Sequence, residues 1–204
     1  MKRIAILGGS FNPPHYGHLT VAKGVLERLA CDEVWLLPCF KQAEGKPLAN
    51  AKHRLAMVRL ACQALSPGLR NKIKAKDFEV RFLRRKNYTA DTVSFLQKRF
   101  PSTRFTWVFG SELVEDFPRW SKWRELRELL PLVIYPRPGF KRPSKKFIES
   151  LGAQIVFLPH SVRKSRVSST KARAFALTAD KHLRLLVPQS VFDYIRKHKL
   201  YGWK

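Results

Sequence analysis

Residues 4–19 read IAILGGSFNPPHYGHL and are the most informative part of the sequence. A short apolar run at residues 4–7 leads into two glycines, two prolines and two histidines, and an amphipathic helix pattern follows from near Gly17. The order predicts a strand, a tight turn and a helix N-terminus, where backbone N–H groups and the helix dipole favour phosphate. His15 and His18 lie three residues apart, so both can face one ligand from the first helical turn. A plain connecting turn is the alternative interpretation.

Short apolar runs alternate with amphipathic helix patterns along the rest of the chain, without an internal repeat. This alternation predicts βαβ units, and hence an α/β fold with a parallel sheet and helices on both faces. Strands are predicted at residues 4–7, 34–37, 73–80, 105–109, 132–135 and 155–158. Helices are predicted at residues 18–29, 52–65, 89–99, 113–117, 122–130, 144–151, 169–178 and 188–199, with Pro188 as the first helical residue. The length favours one domain over residues 1–204, with a small C-terminal helical part from about residue 165.

Three turns in this scheme follow predicted strands, at residues 8–18, 38–41 and 110–112. In parallel sheets ligands bind at the carboxyl ends of the strands. These turns are therefore the predicted location of a binding site.

Cysteine spacing and hydropathy indicate the cellular compartment of the protein. The three cysteines show neither CxxC spacing nor a cluster with histidine, which predicts a reducing compartment and no disulfide framework. The apolar run near the N-terminus is too short for a secretion signal, and no run is long enough to span a membrane. A cytoplasmic protein without membrane contact is expected.

The formal net charge is +25, from 40 Lys and Arg against 15 Asp and Glu. Such an excess predicts attraction to polyanions such as nucleic acid. Basic residues concentrate in two clusters, residues 70–86 and residues 141–173. A solvated basic face explains the same pattern without any partner. A polyanion or RNA contact through this surface is therefore one hypothesis, to be weighed against the motifs.

The segment VSSTKAR, residues 167–173, places hydroxyls and cations at another predicted helix start. Ser or Thr at this position caps the helix and presents hydroxyls to an anion. Arg173 follows Thr170 by three residues, and its guanidinium can bind two phosphate oxygens. Alone, the string is typical of an ordinary helix cap with a surface arginine. Together with the histidines near the N-terminus it favours a second phosphate contact.

These motifs resemble the nucleotidyltransferase superfamily with the HxGH signature, and within it the nicotinate-mononucleotide adenylyltransferases. GGSFNPPHYGH and VSSTKAR match the family's N-terminal and ISSTxxR motifs. HRLAM at 53–57, YTADT at 88–92, GSE at 110–112 with FPRW at 117–120, and PRPG at 136–139 resemble further family segments. The resemblance covers most of the chain and implies a Rossmann-like fold in one nucleotidyltransferase domain.

The resemblance implies transfer of AMP from ATP to the phosphate of a mononucleotide, a step of NAD biosynthesis that releases pyrophosphate. The attacking phosphate oxygen is already anionic, so catalysis depends on positioning and charge stabilisation rather than on a general base. The implied catalytic residues are His15 at the α-phosphate, His18 at the phosphates in the transition state, and Arg173 at the β- and γ-phosphates. The implied ATP-binding set is Gly8, Gly9, Ser10, Phe11, His15, His18, Gly110, Glu112, Ser169, Thr170 and Arg173. Mg²⁺ is expected to be bound through ATP oxygens, with no metal ligand from the protein.

For the acceptor, the resemblance implies nicotinate mononucleotide, with Tyr88 and Thr89 near its carboxylate and Trp120 against its pyridine ring. A core position for Trp120 and a helix-cap role for Thr89 are the alternative interpretations. The family's PPHK segment is absent, and Lys41 or Lys46 stands in its place as the phosphate contact.

Three departures from the family pattern surround the acceptor. Besides the missing PPHK segment, Glu112 replaces an aspartate, and KN at residues 86–87 precedes Tyr88 where a small residue and serine are usual. Nicotinamide mononucleotide and phosphopantetheine are therefore alternative acceptors for the same chemistry, and a basic RNA-binding or RNA-modifying relative is the alternative of another class.

Overall fold

The computed structural model describes residues 1–41, 48–83, 88–152, 154–159 and 167–204. Six parallel strands form one sheet in the order β3-β2-β1-β4-β5-β6. The strands are β1 (Lys2–Gly9), β2 (Glu33–Pro38), β3 (Ile73–Ala75), β4 (Thr103–Gly110), β5 (Leu132–Tyr135) and β6 (Ile155–Phe157). The helices are α1 (Tyr16–Arg28), α2 (Ala51–Gln63), α3 (Pro67–Arg70), α4 (Phe78–Arg81), α5 (Thr89–Arg99), α6 (Trp123–Leu129), α7 (Lys145–Leu151), α8 (Ser169–Leu177) and α9 (Gln189–Lys197). This strand order is that of a doubly wound Rossmann sheet, which confirms the predicted fold class.

The central strand β1 sends alternate side chains into two separate cores. Ala5 and Leu7 pack with α1, α2, α8 and α9 on one face of the sheet. Ile4 and Ile6 pack with α5, α6 and α7 on the other face. Burial on both faces explains why the strands read as continuous apolar runs, as parallel strands do.

The C-terminal helices share the first of these cores. The cluster that contains Ala5 and Leu7 of β1 also contains side chains of both C-terminal helices. They are Ala172 and Ala176 of α8 and Val191, Phe192 and Ile195 of α9. Within the described ranges, no helix is long and apolar enough to cross a membrane.

The strand predicted at residues 73–80 is wrong in its second half. β3 ends at Ala75, and α4 begins three residues later. The Asp77 carbonyl accepts the Arg81 N–H at 2.7 Å, so the chain closes a helical turn instead of extending the sheet edge. The two apolar residues that suggested a longer strand are buried in different clusters, Phe78 against the sheet and Val80 against Ala51.

Elsewhere the prediction differs in the helix after β4 and at the start of α9. The helix predicted at residues 113–117 is replaced by two short 3₁₀ helices, Ser111–Leu113 and Phe117–Arg119. Pro188 has ψ 148°, outside the helical range, so it caps α9 instead of beginning it. The helix predicted at residues 89–99 is confirmed as α5, and Tyr88 takes its cap position, so the alternative cap role for Thr89 is wrong.

Candidate active site

The site lies where the carboxyl ends of β1 and β4 meet. These two strands are neighbours, and the chain reverses its direction across the sheet between them, which is where doubly wound folds bind ligands. Residues 10–15 follow β1 directly, residues 111–113 follow β4, and Arg137 follows β5 two residues after its end. The fold therefore gathers the predicted phosphate turn and the GSE segment at one edge.

The two histidine rings of the turn lie against each other at the start of α1, with their planes tilted by 31°. His15 takes the cap position with extended backbone, and the ring centroids of His15 and His18 are 3.8 Å apart. The backbone N–H of His15 donates to Nδ1 of His18 at 3.1 Å. Because this nitrogen accepts a hydrogen bond, the proton of a neutral His18 resides on Nε2. His18 can therefore donate a hydrogen bond through Nε2.

Burial keeps both imidazoles neutral in the free protein. Desolvation, with a smaller contribution from the Arg137 guanidinium, lowers the pKa of His15 from 6.5 to about 3. Desolvation followed by the charges of His15 and Arg137 lowers the pKa of His18 well below 6.5. Among the described contacts, Nδ1 of His15 is buried without a hydrogen-bond partner. The pair is thus arranged to supply hydrogen bonds at neutral pH, and it does not carry a positive charge before a ligand binds.

Gly17 leaves the space that this arrangement needs. A Cβ at this position would lie 2.8 Å from the His15 ring and 3.1 Å from the Val167 carbonyl oxygen. Both distances are shorter than ordinary van der Waals contact. The glycine between the two histidines therefore allows the N-terminal turn and the C-terminal motif to approach each other.

Side chains of α8 hold the phosphate turn directly. The Ser169 hydroxyl donates to the Pro13 carbonyl at 2.9 Å, and Nη1 of Arg173 donates to the Asn12 carbonyl at 2.9 Å. Nη2 of Arg173 also contacts Oγ1 of the exposed Thr170 at 3.3 Å. A guanidinium has five N–H donors, so the groups outside these two contacts can still face a ligand. The structure therefore brings together two motifs that lie more than 150 residues apart in sequence.

The remaining predicted residues of the turn have different surroundings. Gly8 lies against the Trp107 ring, and a Cβ there would be 2.2 Å from that ring, so packing on the sheet accounts for this glycine. Gly9 is the last residue of β1. Phe11 is buried, adopts φ 46°, and places its ring centroid 4.7 Å from that of His18. The carbonyl of Ser10 accepts a hydrogen bond from Nη1 of Arg54 at 2.8 Å.

Glu112 is bound to an arginine that the candidate set did not include. Its Oε1 forms a 2.6 Å ion pair with Nη1 of Arg137. The backbone N–H of Arg137 donates to the Ser111 hydroxyl at 2.9 Å. A Cβ on Gly110 would lie 2.0 Å from Oε2 of Glu112, so the glycine lets this carboxylate fold over the end of β4. Oε2 is buried without a partner in the part of the chain that is described. The sequence signal for Arg137 was its PRPG turn immediately after a predicted strand.

The predicted acceptor residues are distributed over three elements. Lys41 is exposed beyond the end of β2, and Lys46 lies outside the described residues. Tyr88 caps α5, its N–H donating to Oδ2 of Asp91 at 3.2 Å, and Thr89 follows it. Trp120 is partly buried, with its ring 5.5 Å from both Phe109 and Phe117. The structure does not describe a contact that joins these side chains to one another.

Arg54 of α2 is the second residue near the turn that the candidate set did not include. Its side chain is buried and donates to three backbone carbonyls. It lies within the HRLAM segment, but nothing in that pattern distinguishes a buried arginine from an exposed one on the same helix.

Comparison with known proteins shows which family the chain belongs to. Residues 6–175 match the model of the cytidylyltransferase-like family. A protein of Oceanobacillus iheyensis named "probable nicotinate-nucleotide adenylyltransferase" is 30% identical over 204 residues, 100% of this chain and 98% of its own. The nicotinate-nucleotide adenylyltransferase of Bacillus subtilis is 31% identical over 98% of this chain and 99% of its own. The structure of Plasmodium falciparum nicotinic acid mononucleotide adenylyltransferase complexed with NaAD has a TM-score of 0.84 over 100% of this chain and 99% of that chain. At 23% identity the last likeness shows a shared fold.

Proposed function

Because the chain belongs to the nicotinate-nucleotide adenylyltransferases of the cytidylyltransferase-like family, we propose that it transfers AMP from ATP to nicotinate mononucleotide. The products are deamido-NAD and pyrophosphate, as in NAD biosynthesis. The single observation that carries the proposal is the junction of two phosphate motifs. Ser169 and Arg173 bind carbonyls of the same turn that positions His15 and His18.

The chemistry requires electrostatic stabilisation more than proton transfer. An oxygen of the acceptor phosphate forms a bond to the α-phosphorus of ATP while the bond from that phosphorus to the β-phosphate bridging oxygen breaks. The electron pair leaves with pyrophosphate, and the attacking oxygen carries no proton to be removed. Fixed hydrogen-bond donors at the place where charge develops are then the main source of rate acceleration.

The proposed roles follow from the geometry of each side chain. His18 donates from Nε2 to a phosphate oxygen, because its Nδ1 already accepts from the backbone. His15, whose ring lies against that of His18, is proposed at the α-phosphate, where its neutral ring adds a donor without repelling a cation. Arg173, anchored on the turn by one Nη, directs its other N–H groups to the β- and γ-phosphates. Ser10 and Phe11 contribute backbone N–H groups, and Thr170 its hydroxyl.

A divalent cation enters this proposal as part of the nucleotide. Glu112, the carboxylate that follows β4, is ion-paired with Arg137. A site rich in imidazole and guanidinium donors fits Mg²⁺ that is carried by ATP oxygens better than Mg²⁺ held by the protein. Bound in this way, Mg²⁺ neutralises charge on the phosphates.

The acceptor assignment is supported by the family and by an aromatic surface. Trp120 is held against Phe109 and Phe117 but keeps part of its ring exposed, as a platform for a pyridine ring requires. Tyr88 and Thr89 are proposed at the nicotinate carboxylate, next to the N-terminus of α5. Lys41 or Lys46 is proposed at the acceptor phosphate.

The test is an acceptor screen with product identification. The protein is incubated with ATP, Mg²⁺ and one of nicotinate mononucleotide, nicotinamide mononucleotide or phosphopantetheine, and the products are identified by mass spectrometry. We expect deamido-NAD and pyrophosphate, with kcat/KM at least about 10-fold above that for the amide, the discrimination that one lost charged contact provides. A higher kcat/KM with another acceptor contradicts the assignment of nicotinate mononucleotide. Release of pyrophosphate with any of the three acceptors still supports adenylyl transfer as the reaction.

The alternative function, binding of RNA or another polyanion through the basic surface, gains no specific support from the described contacts. In the first basic cluster, Lys74 binds Glu33, and Lys76 lies 4.4 Å from the centre of the Trp35 ring. In the second cluster, Arg142 covers the Phe157 ring, and Arg173 holds the phosphate turn. Residues 84–86 and 163–166 of these clusters lie outside the described residues. A salt-titrated RNA-binding assay tests the polyanion contact, which stays a prediction.

One domain is part of the same proposal. The helices beyond residue 165 contribute Ser169 and Arg173 to the site and share a core with the sheet. A limited proteolysis experiment that released a stable fragment ending near residue 165 would contradict it.

A further inference from the structure

Arg54 occupies an unusual environment at the start of α2. Its side chain is 1% exposed, although an arginine carries a permanent charge. Burial of such a charge is unfavourable unless hydrogen bonds replace its hydration. Here the replacement comes from backbone carbonyls, which accept its N–H groups at 2.8 Å in each case.

The three carbonyls belong to three different segments. Nη1 donates to Ser10 in the phosphate turn, Nη2 to Phe40 in the loop after β2, and Nε to Ala49 just before α2. The first segment carries the proposed ATP contacts, and the second contains Lys41, one of the two lysines proposed at the acceptor phosphate. The planar guanidinium has the fixed directions that such a three-way contact requires, whereas an ammonium group does not.

Ala49 extends this contact back to the phosphate turn. Its N–H donates to Oδ1 of the buried Asn12 at 3.0 Å, while its carbonyl accepts from Arg54. The Asn12 carbonyl in turn accepts from Arg173. The carbonyls of Ser10, Asn12 and Pro13 are all held by side chains of α2 or α8. A carbonyl that already accepts a hydrogen bond from a cationic side chain repels an entering phosphate less than a free carbonyl does.

We propose that Arg54 is a positioning residue that fixes the phosphate turn and the loop after β2 relative to each other, so that binding of ATP and binding of the acceptor both depend on it. Arg54 does not itself touch the reacting phosphates in this proposal. The inference rests on the proposed function for the identity of the acceptor, but its ATP half is independent of that identity.

The experiment compares Arg54→Lys and Arg54→Met with Arg59→Met. Arg59 lies on the same helix, is exposed, and pairs with Asp77 outside the site. Affinities for a non-hydrolysable ATP analogue and for nicotinate mononucleotide are measured separately by calorimetry, on protein whose folding is verified by near-ultraviolet circular dichroism. We expect both Kd values to rise at least about 10-fold in folded Arg54→Lys and to stay within about 2-fold in Arg59→Met.

Two outcomes would overturn the proposal. One is a folded Arg54→Lys with unchanged Kd values and only a lower Tm, which is the result of a purely structural role. The other is a loss of ATP affinity alone, which removes the connection between the two segments. If nicotinate mononucleotide does not bind even the unmodified protein, the proposed acceptor is wrong. The Kd values of the Arg54 and Arg59 variants are then measured with the acceptor that the screen identifies.

A measurement on the unmodified protein covers the case in which the Arg54 variants do not fold. Hydrogen exchange is followed at the backbone amides of Phe40 and Lys41 with the ATP analogue alone, because Pro38 has no N–H and the Cys39 N–H is bound directly to the Gly9 carbonyl. We expect slower exchange at both amides, because Arg54 transmits the ordering of the Ser10 carbonyl to Phe40. Unchanged exchange at Phe40 and Lys41, together with slower exchange at residues 10–12, contradicts the proposal.

Discussion

On the phosphate side of the candidate site, formed by residues 8–18 and α8, side chains reach across the fold to hold the turn after β1. On the proposed acceptor side, Tyr88 binds Asp91 of its own helix, Trp120 packs on Phe109 and Phe117, and the loop that carries Lys41 is held through Phe40 by Arg54. The phosphate side is thus held by one distant helix, while the proposed acceptor residues depend on separate contacts. The difference has a chemical counterpart, because charge develops on the phosphates, where a small displacement of a donor is costly.

The largest effect is expected from His18→Ala, which removes the proposed Nε2 donor. Loss of one preorganised donor at a developing charge lowers kcat by about 10²–10³-fold. Pyrophosphate release measures the rate, with His182→Ala as the control, since His182 is exposed and binds Asp180 instead. A rate within about 3-fold of the unmodified protein would contradict the assigned role of His18.

A somewhat smaller loss is expected from Gly17→Ala. The added methyl group would displace the His15 ring or the Val167 carbonyl, each of which lies about 3 Å from it. We expect kcat/KM to fall about 100-fold, the usual effect of misplaced catalytic groups. Gly68→Ala is the matched control, because a Cβ there meets nothing within 4 Å. Equal kcat/KM for the two variants would show that the phosphate side tolerates displacement.

Trp120→Ala tests the acceptor side. We expect KM for the acceptor to rise about 10-fold, the equivalent of roughly 1.4 kcal/mol of stacking, while KM for ATP stays within about 2-fold. Trp123→Ala is the comparison variant, because Trp123 packs on the same Phe117 at 5.7 Å. If both variants raise KM for the acceptor equally, the effect comes from the aromatic cluster rather than from contact with substrate.

The smallest effect is expected when the two histidines are titrated, because their NMR signals should show no step near pH 6.5. Because burial lowers the pKa of His15 to about 3 and the pKa of His18 well below 6.5, neither ring should titrate in the usual range of a free imidazole around pH 6.5. NMR of labelled imidazoles measures this, with His15→Ala and His18→Ala for assignment. An inflection near pH 6.5 for either ring would show that the pair carries a proton in the free protein.

The same shifts determine how stability depends on pH. The unfolded chain binds a proton on each histidine near pH 6.5, whereas the folded chain does not until a much lower pH. The free energy of unfolding therefore falls as the pH drops below 6.5, by up to about 1.4 kcal/mol per pH unit for each histidine. Acid lability is thus expected to be a property of the phosphate side.

Much of the fold could be predicted because its signals are local. The apolar run at residues 4–7, the glycines after it and the helix pattern that follows determine β1, the turn and α1 without reference to distant residues. The error at residues 76–80 has a tertiary cause. Phe78 and Val80 alternate with polar residues as in a strand, but they are buried in two different clusters on a helical turn.

The site was predicted only where residue types are diagnostic. Two histidines around a glycine and an S-S-T-x-x-R string carry their chemistry in the sequence. Arg54 and Arg137 are two of 40 Lys and Arg residues, and residue type alone does not distinguish them from the solvent-exposed ones. Their positions depend on which carbonyls and carboxylates the sheet brings near them.

The parallel α/β class and the glycine-rich turn after β1 followed from the sequence alone, because periodicity and backbone conformation are properties of neighbouring residues. The pairing of the two distant motifs was inferred from their residue types and from the family resemblance. Only the tertiary structure decided that α8 holds the carbonyls of that turn, that both histidines are neutral, and that Gly17 makes room for the Val167 carbonyl. Burial and hydrogen bonding between distant segments exist only after the chain has folded. The electrostatics of the site follow from them.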